Sequence, residues 1–218
     1  MINEKPILAL ETSERICGVC LYFDEEKFYE FSILLKNAHS ELIFDLVDKI
    51  FKTSQTEINQ IGCIAVSAGP GSFTGLRIGM STAKGLAFGA SLPIAPVPTF
   101  EAMAYQLTDF LTEGTEFILA NKVNSEETYF AEFQIKANNY IFTNNLTIID
   151  RQKLEKEAKN KLIFGNAVKS LDKTSFTAPS AKYIAKWFEK FGNRLLTLDY
   201  DFLEPNYLKD FIIKGMKK

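Results

Sequence analysis

An α/β fold of two related halves is what this sequence predicts, on three observations. Apolar runs at 6–12, 15–23 and 27–35, parted by Ser13-Glu14 and Asp24-Glu25-Glu26, read as consecutive strands. An amphipathic helix, a buried strand and a glycine-bearing helix follow, giving the order β-β-β-α-β-α. Beyond Pro93, Pro96 and Pro98, which break both helices and central strands, the theme recurs loosely. Residues 1–98 and 99–218 are therefore expected to form two related subdomains, the second smaller, each a mixed sheet flanked by helices.

Composition narrows the class. The chain has 218 residues, 46% hydrophobic and 24% charged, as an ordinary globular protein does. No apolar run approaches the roughly 20 residues of a membrane span. Met1-Ile-Asn-Glu-Lys-Pro6 lacks a basic region followed by an apolar one, so no signal peptide is expected. Three cysteines, an odd number, suggest a reducing compartment, and a cytoplasmic protein is the expectation. A net charge of −2 gives no basic footprint for gripping nucleic acid directly. The visible basic cluster is the tail, Lys214, Lys217 and Lys218.

In the first half, Cys17 and Cys20 are spaced C-x-x-C, but on a strand residues three apart point to opposite faces, which favours packing roles. The helix at about 39–52 carries Leu42, Ile43, Phe44, Leu46, Val47, Ile50 and Phe51 over an arc of about 200°, more than one sheet contact needs. Cys63-Ile-Ala-Val66 reads as a buried strand. Gly69-Pro70-Gly71 then turns into a helix at about 74–89, with Ser72 and Thr74 as N-cap candidates. Gly69, Gly71, Ser72 and Thr74 could hold an anion there. Neither nucleotide motif is complete: Leu76 stands where a Walker lysine belongs, and Thr74 at the third glycine of a dinucleotide loop. Gly75, Gly79, Ala83 and Ala87 share one helix face, suited to close packing either on this protein's own sheet or on a second protein.

In the second half, Thr99 is a cap candidate for a helix through Leu107. Strands are expected at 116–121, 128–135 and 139–149, with Asn138-Asn139 and Asn144-Asn145 as turns. A short charged helix at 151–159, a strand at Leu162-Ile-Phe164 and a helix at about 180–191 behind Pro179 follow. Residues 205–216 are expected to form a last helix or to pack back on the first half.

Gly69-Pro-Gly-Ser-Phe-Thr-Gly-Leu-Arg-Ile-Gly79, with Ala83-Lys-Gly-Leu-Ala87, resembles the signature of the TsaB (YeaZ) family. Ile7-Leu-Ala-Leu-Glu-Thr-Ser13, Ala38-His-Ser-Glu-Leu42, Glu127-Thr-Tyr-Phe-Ala131 and Pro205-Asn-Tyr-Leu-Lys209 resemble further family segments in the same order. The resemblance implies a ribonuclease-H-like, actin-type ATPase (ASKHA) fold. It also implies a non-catalytic subunit needed for N6-threonylcarbamoylation of adenosine 37 in tRNAs reading codons that begin with A. The partners it implies are a TsaD-like catalytic subunit and a TsaE-like ATPase, with a homodimer when alone and tRNA met only indirectly. No cofactor or metal of its own is expected, though ATP is possible at the assembled complex.

The partner surface is expected on the two first-half helices, at Leu42, Leu46, Ile50, Gly75, Arg77, Gly79, Met80 and Ala83. The chain departs from related enzymes in three places. His39, the only histidine, has Ile43 four residues on, where TsaD carries a second histidine. Glu11 replaces the first-strand aspartate of actin-fold ATPases, with a solvated strand end as its plain role. Asn121-Lys-Val-Asn124 replaces Leu-Asp-Ala-Arg, setting Lys122 at the aspartate. The alternative is a small actin-fold ATPase or kinase that uses the Gly69–Thr74 loop for phosphate. A metallopeptidase is disfavoured by the lone histidine, and a plain adaptor with no tRNA connection is the third possibility.

Overall fold

β1 (Ile7–Glu11) lies at the middle of the first sheet and is wholly buried, as an unbroken apolar run flanked by strands on both sides should be. A computed structural model describes residues 5–34, 39–158, 161–167 and 176–208. β2 (Ile16–Tyr22) and β3 (Phe28–Leu34) extend the sheet antiparallel, while β4 (Cys63–Ser67) and β5 (Ile94–Val97) add in parallel, giving the order β3-β2-β1-β4-β5. Pro96 is tolerated because β5 is an edge.

The pleat divides the side chains. Leu8, Leu10, Val19 and Leu21 meet α1 (His39–Ser54) and α2 (Phe73–Ala90) on one face. Ala9, Cys20, Tyr22 and Ala65 meet α5 (Ala181–Trp187) on the other. Cys17 and Cys20 fall in these separate cores, as their spacing on a strand requires.

The second sheet runs β8-β7-β6-β9, built from β6 (Glu116–Lys122), β7 (Glu127–Lys136), β8 (Asn139–Asp150) and β9 (Leu162–Phe164). α3 (Thr99–Leu107) lays Phe100, Met103 and Leu107 on Phe117, Leu119 and Phe133, and turns Ala102 toward the α5 core of the first sheet. α4 (Arg151–Glu157) covers the other face through Leu154, beside Ile118 and Phe130. Tyr140 ties the layers together: its hydroxyl donates to Glu101 at 2.7 Å and accepts from Trp187 Nε1 at 2.8 Å. Two mixed sheets flanked by helices are the arrangement that the element order predicts.

Four local expectations are corrected. Asn144-Asn145 makes no turn but lies within β8, where register shifts against β7 between Phe130 and Phe133 mark bulges. The turn before β8 is at Ala137-Asn138, both at positive φ. Pro98, not Thr99, precedes the first turn of α3, and the Thr99 hydroxyl accepts instead from Gly69 N at 3.1 Å. The helix behind Pro179 keeps α geometry only to Trp187 and widens into a π turn over Phe188–Gly192. Of the last stretch, residues 203–207 take the other arrangement expected, packing back on the first half through Asn206 rather than forming a helix, and 209–216 lie outside the described residues.

Candidate functional site

The turn from β4 into α2 is held by its own chain. Gly69 has a φ of +110°, and a Cβ there would stand 2.8 Å from the Asn206 carbonyl oxygen, so glycine is required on both counts. Ser72 N donates to the Ser13 carbonyl at 2.6 Å. Ser72 is the N-cap, its Oγ accepting from Gly75 N at 3.2 Å. Thr74 is exposed and sits on the rim of a groove instead. Gly71 backs onto Ser13, where even a Cβ would be 2.5 Å from the Ser13 carbonyl. The N–H groups of Gly69, Ser72 and Gly75 are thus all committed within the protein.

Glu11 does not end in solvent. It is completely buried, and burial pushes its carboxyl up to about 7, offset in part by the polar groups of Ser13 and Ser67 beside it. One carboxyl oxygen accepts from Ser13 N at 2.5 Å, while Oε2 and the Ser13 hydroxyl have no hydrogen-bond partner. Glu14 follows on the turn to β2. Burial, then repulsion from Glu11, raises it to about 8. Its carboxylate accepts from Asn166 Nδ2 at 2.9 Å, joining the first sheet to the turn after β9. Asn121 is buried and bonds Asn166 N and the Thr177 carbonyl, while the Lys122 side chain is exposed.

The small-residue face of α2 turns inward. A Cβ at Gly75 would overlap the Thr12 carbonyl oxygen, and one at Gly79 the Thr12 hydroxyl. Met80, Ala83 and Ala87 are buried in the core beneath, with Leu46 and Ile50 of α1. Gly75, Gly79, Met80, Ala83, Leu46 and Ile50 are therefore not surface residues of this chain. The four-residue repeat identified a close-packing face, but what it packs against is the end of β1. Leu42 is half-buried and Arg77 exposed. The described structure includes the backbone of His39 but not its side chain; Lys209, Lys214, Lys217 and Lys218 lie outside the described residues.

The opposite faces of α1 and α2 line an open groove of about 470 Å³, with Ile43, Phe44, Phe73, Arg77, Ile78 and Ser81 on its walls. Phe44 is 54% exposed. Further along α2, Gly85 and Gly89 stand in open space and Phe88 is 77% exposed. Sequence reasoning placed Phe44 in an over-wide apolar arc but missed Phe73, Ile78, Ser81 and Phe88. The available signal was the second repeat on α2, Phe73, Arg77, Ser81 and Gly85, about 160° from the Gly75 stripe at 100° per residue.

A strap from the C-terminal region completes the surface. Thr197 bridges Ile94, the Tyr200 hydroxyl donates to the Leu92 carbonyl at 2.6 Å, and Asn206 N donates to the Ala68 carbonyl at 2.7 Å. Tyr207 then reaches Phe73, ring centroids 5.1 Å apart. Among the described residues no three His, Cys, Asp or Glu side chains gather as metal ligands, and no helix is long and apolar enough to cross a membrane.

The family model described as TsaD: tRNA N6-adenosine threonylcarbamoyltransferase matches residues 34–135. Curated relatives named tRNA threonylcarbamoyladenosine biosynthesis protein TsaB include one from Haemophilus influenzae, 37% identical over 126 residues, 58% of this chain and 52% of that protein. One from Escherichia coli is 38% identical over 128 residues, 59% and 54% of the two chains. One from Buchnera aphidicola subsp. Baizongia pistaciae is 28% identical over 196 residues, 83% and 87%. The matched stretch spans about half the length of the first two. The solved structure of YeaZ from Pseudomonas aeruginosa superposes with a TM-score of 0.74 over 94% of this chain and 100% of that one, at 17% identity, a likeness of fold.

Proposed function

We propose that this chain, which belongs to the TsaB family, serves threonylcarbamoyladenosine formation in tRNA as the non-catalytic partner of a TsaD-like transferase. The observation that carries this reading is the exposed apolar groove between α1 and α2. A concave surface that leaves a large apolar side chain such as Phe44 half exposed beside Phe73 and Ile78 suits docking of another protein. The groove lies within residues 34–135, where the chain is itself TsaD-like. Two related subunits that meet through the same helix pair would form a pseudo-symmetric heterodimer, and the same surface would let the chain pair with itself when alone. In this reading the protein is cytoplasmic, a TsaE-like ATPase joins the pair, the place for ATP is the assembled complex, and tRNA is met through the partner.

Two observations weigh against a phosphate-handling enzyme on the Gly69–Thr74 loop. A phosphate site at a helix start needs free N–H donors, and here those of Gly69, Ser72 and Gly75 are spent within the chain. No Walker lysine stands at the loop either, since Leu76 holds its place. This reading therefore gives the loop a packing role.

Depleting the protein and quantifying the modified adenosine in total tRNA tests the proposal. Loss of threonylcarbamoyladenosine, restored by the wild-type chain, is expected. An unchanged level with the protein gone contradicts it.

A further inference from the structure

We propose that Arg77 is the electrostatic anchor of the α1–α2 surface and that the docking partner meets it with an acidic side chain. The inference rests on the docking role proposed above and adds the chemistry of what docks.

Arg77 is exposed, and its guanidinium lies 3.8 Å over the Phe73 ring. Nε donates to the Tyr207 hydroxyl at 3.1 Å. Tyr207 is itself carried on the strap that Asn206 fastens to Ala68. The side chain is therefore held from two sides, by a stacked ring below and a hydrogen bond at Nε. That leaves the two Nη groups as the donors a carboxylate takes in parallel. No ion pair engages Arg77 among the described residues. Of the groove-lining residues described, Arg77 alone carries a charge. Holding an arginine still before binding reduces the entropy that binding must spend on it.

The surroundings select the partner's class. Phe44, Phe73 and Ile78 ask for an apolar side chain next to the acid. A nucleic acid would be met by several cations tracking its phosphates, and one does not suffice. A second copy docked groove to groove brings no carboxylate from the described lining to receive Arg77. The occupant that fits is a heterologous protein segment, the TsaD-like subunit in this reading, with an Asp or Glu flanked by an apolar residue.

The test is the affinity of the full chain for the TsaD-like subunit of the same cell, measured by calorimetry from roughly 50 to 500 mM salt, across which an exposed ion pair is screened. Wild-type affinity should fall with salt. Arg77→Met should weaken binding about tenfold at low salt, the scale of one charged hydrogen bond, and flatten the salt dependence. Arg77→Lys should keep the salt dependence but recover only part of the affinity, having lost the planar stack. Tyr207→Phe, which frees Nε, should fall between Arg77→Lys and wild type. Arg77→Met binding with wild-type affinity and salt slope would overturn this inference alone. Failure of the wild-type pair to bind, or self-association only, would overturn the docking role as well.

Discussion

The Thr12 hydroxyl donates to the Gly75 carbonyl oxygen at 2.8 Å, so the end of β1 and the first turn of α2 touch backbone to backbone. The contact explains why two glycines persist in a helix, where each costs roughly 1 kcal/mol against alanine. Gly75→Ala drives its new methyl into the Thr12 carbonyl, which cannot swing away as a side chain can. A net loss of about 2 kcal/mol is expected, from overpacking of about 3 less the propensity gained. Gly85 has nothing near its Cβ position, so Gly85→Ala should stabilise by about 0.5–1 kcal/mol. Urea unfolding of both variants checks the opposite signs.

Stability should fall as pH rises through neutrality. Glu11 is raised by burial from 4.5 to about 7. The folded state therefore holds a proton that the unfolded chain has released. The stability linked to that proton is whole below pH 4.5 and lost by the time pH passes 7, and Glu14, also raised, extends the loss toward 8. At about 1.4 kcal/mol per unit, Glu11 accounts for roughly 3 kcal/mol across this window. Glu11→Gln, which cannot ionise, should flatten the profile between pH 5 and 8.5 in chemical unfolding series. An equally steep profile in the variant would refute the assignment.

The strap should be worth little in stability and more in order. Tyr200→Phe removes the hydroxyl that donates to the Leu92 carbonyl and lowers stability by about 1 kcal/mol. Hydrogen exchange should quicken over residues 197–207 while β1 and β4, buried throughout, keep their protection.

Most of the fold was legible because its signals are local. Apolar runs gave β1 to β4, and the spacing of Cys17 and Cys20 placed them on opposite faces of β2. What failed depended on contacts distant in sequence. Asn144-Asn145 has the composition of a turn, yet pairing with β7 draws it into a bulged strand. Thr99 has the chemistry of a cap, yet Gly69, 30 residues away, claims its hydroxyl. The candidate surface was half legible. Periodicity put Gly75 and Gly79 on a close-packing face, but only the position of Thr12 shows what that face meets. Glu11 reads as a strand end in sequence and is sealed by Ser13 and Ser67 in space.

The central claim is that the outward face of α1 and α2 docks a catalytic sibling. Co-purification of the TsaD-like subunit with Phe44→Asp tests it most directly, with Phe110→Asp as the control, since Phe110 is also exposed but lies just beyond α3. Both substitutions fall on exposed side chains, so unfolding free energies should stay within about 0.5 kcal/mol of wild type. The account predicts that Phe44→Asp loses the partner and Phe110→Asp keeps it; recovery of the partner in wild-type amounts with Phe44→Asp would contradict it.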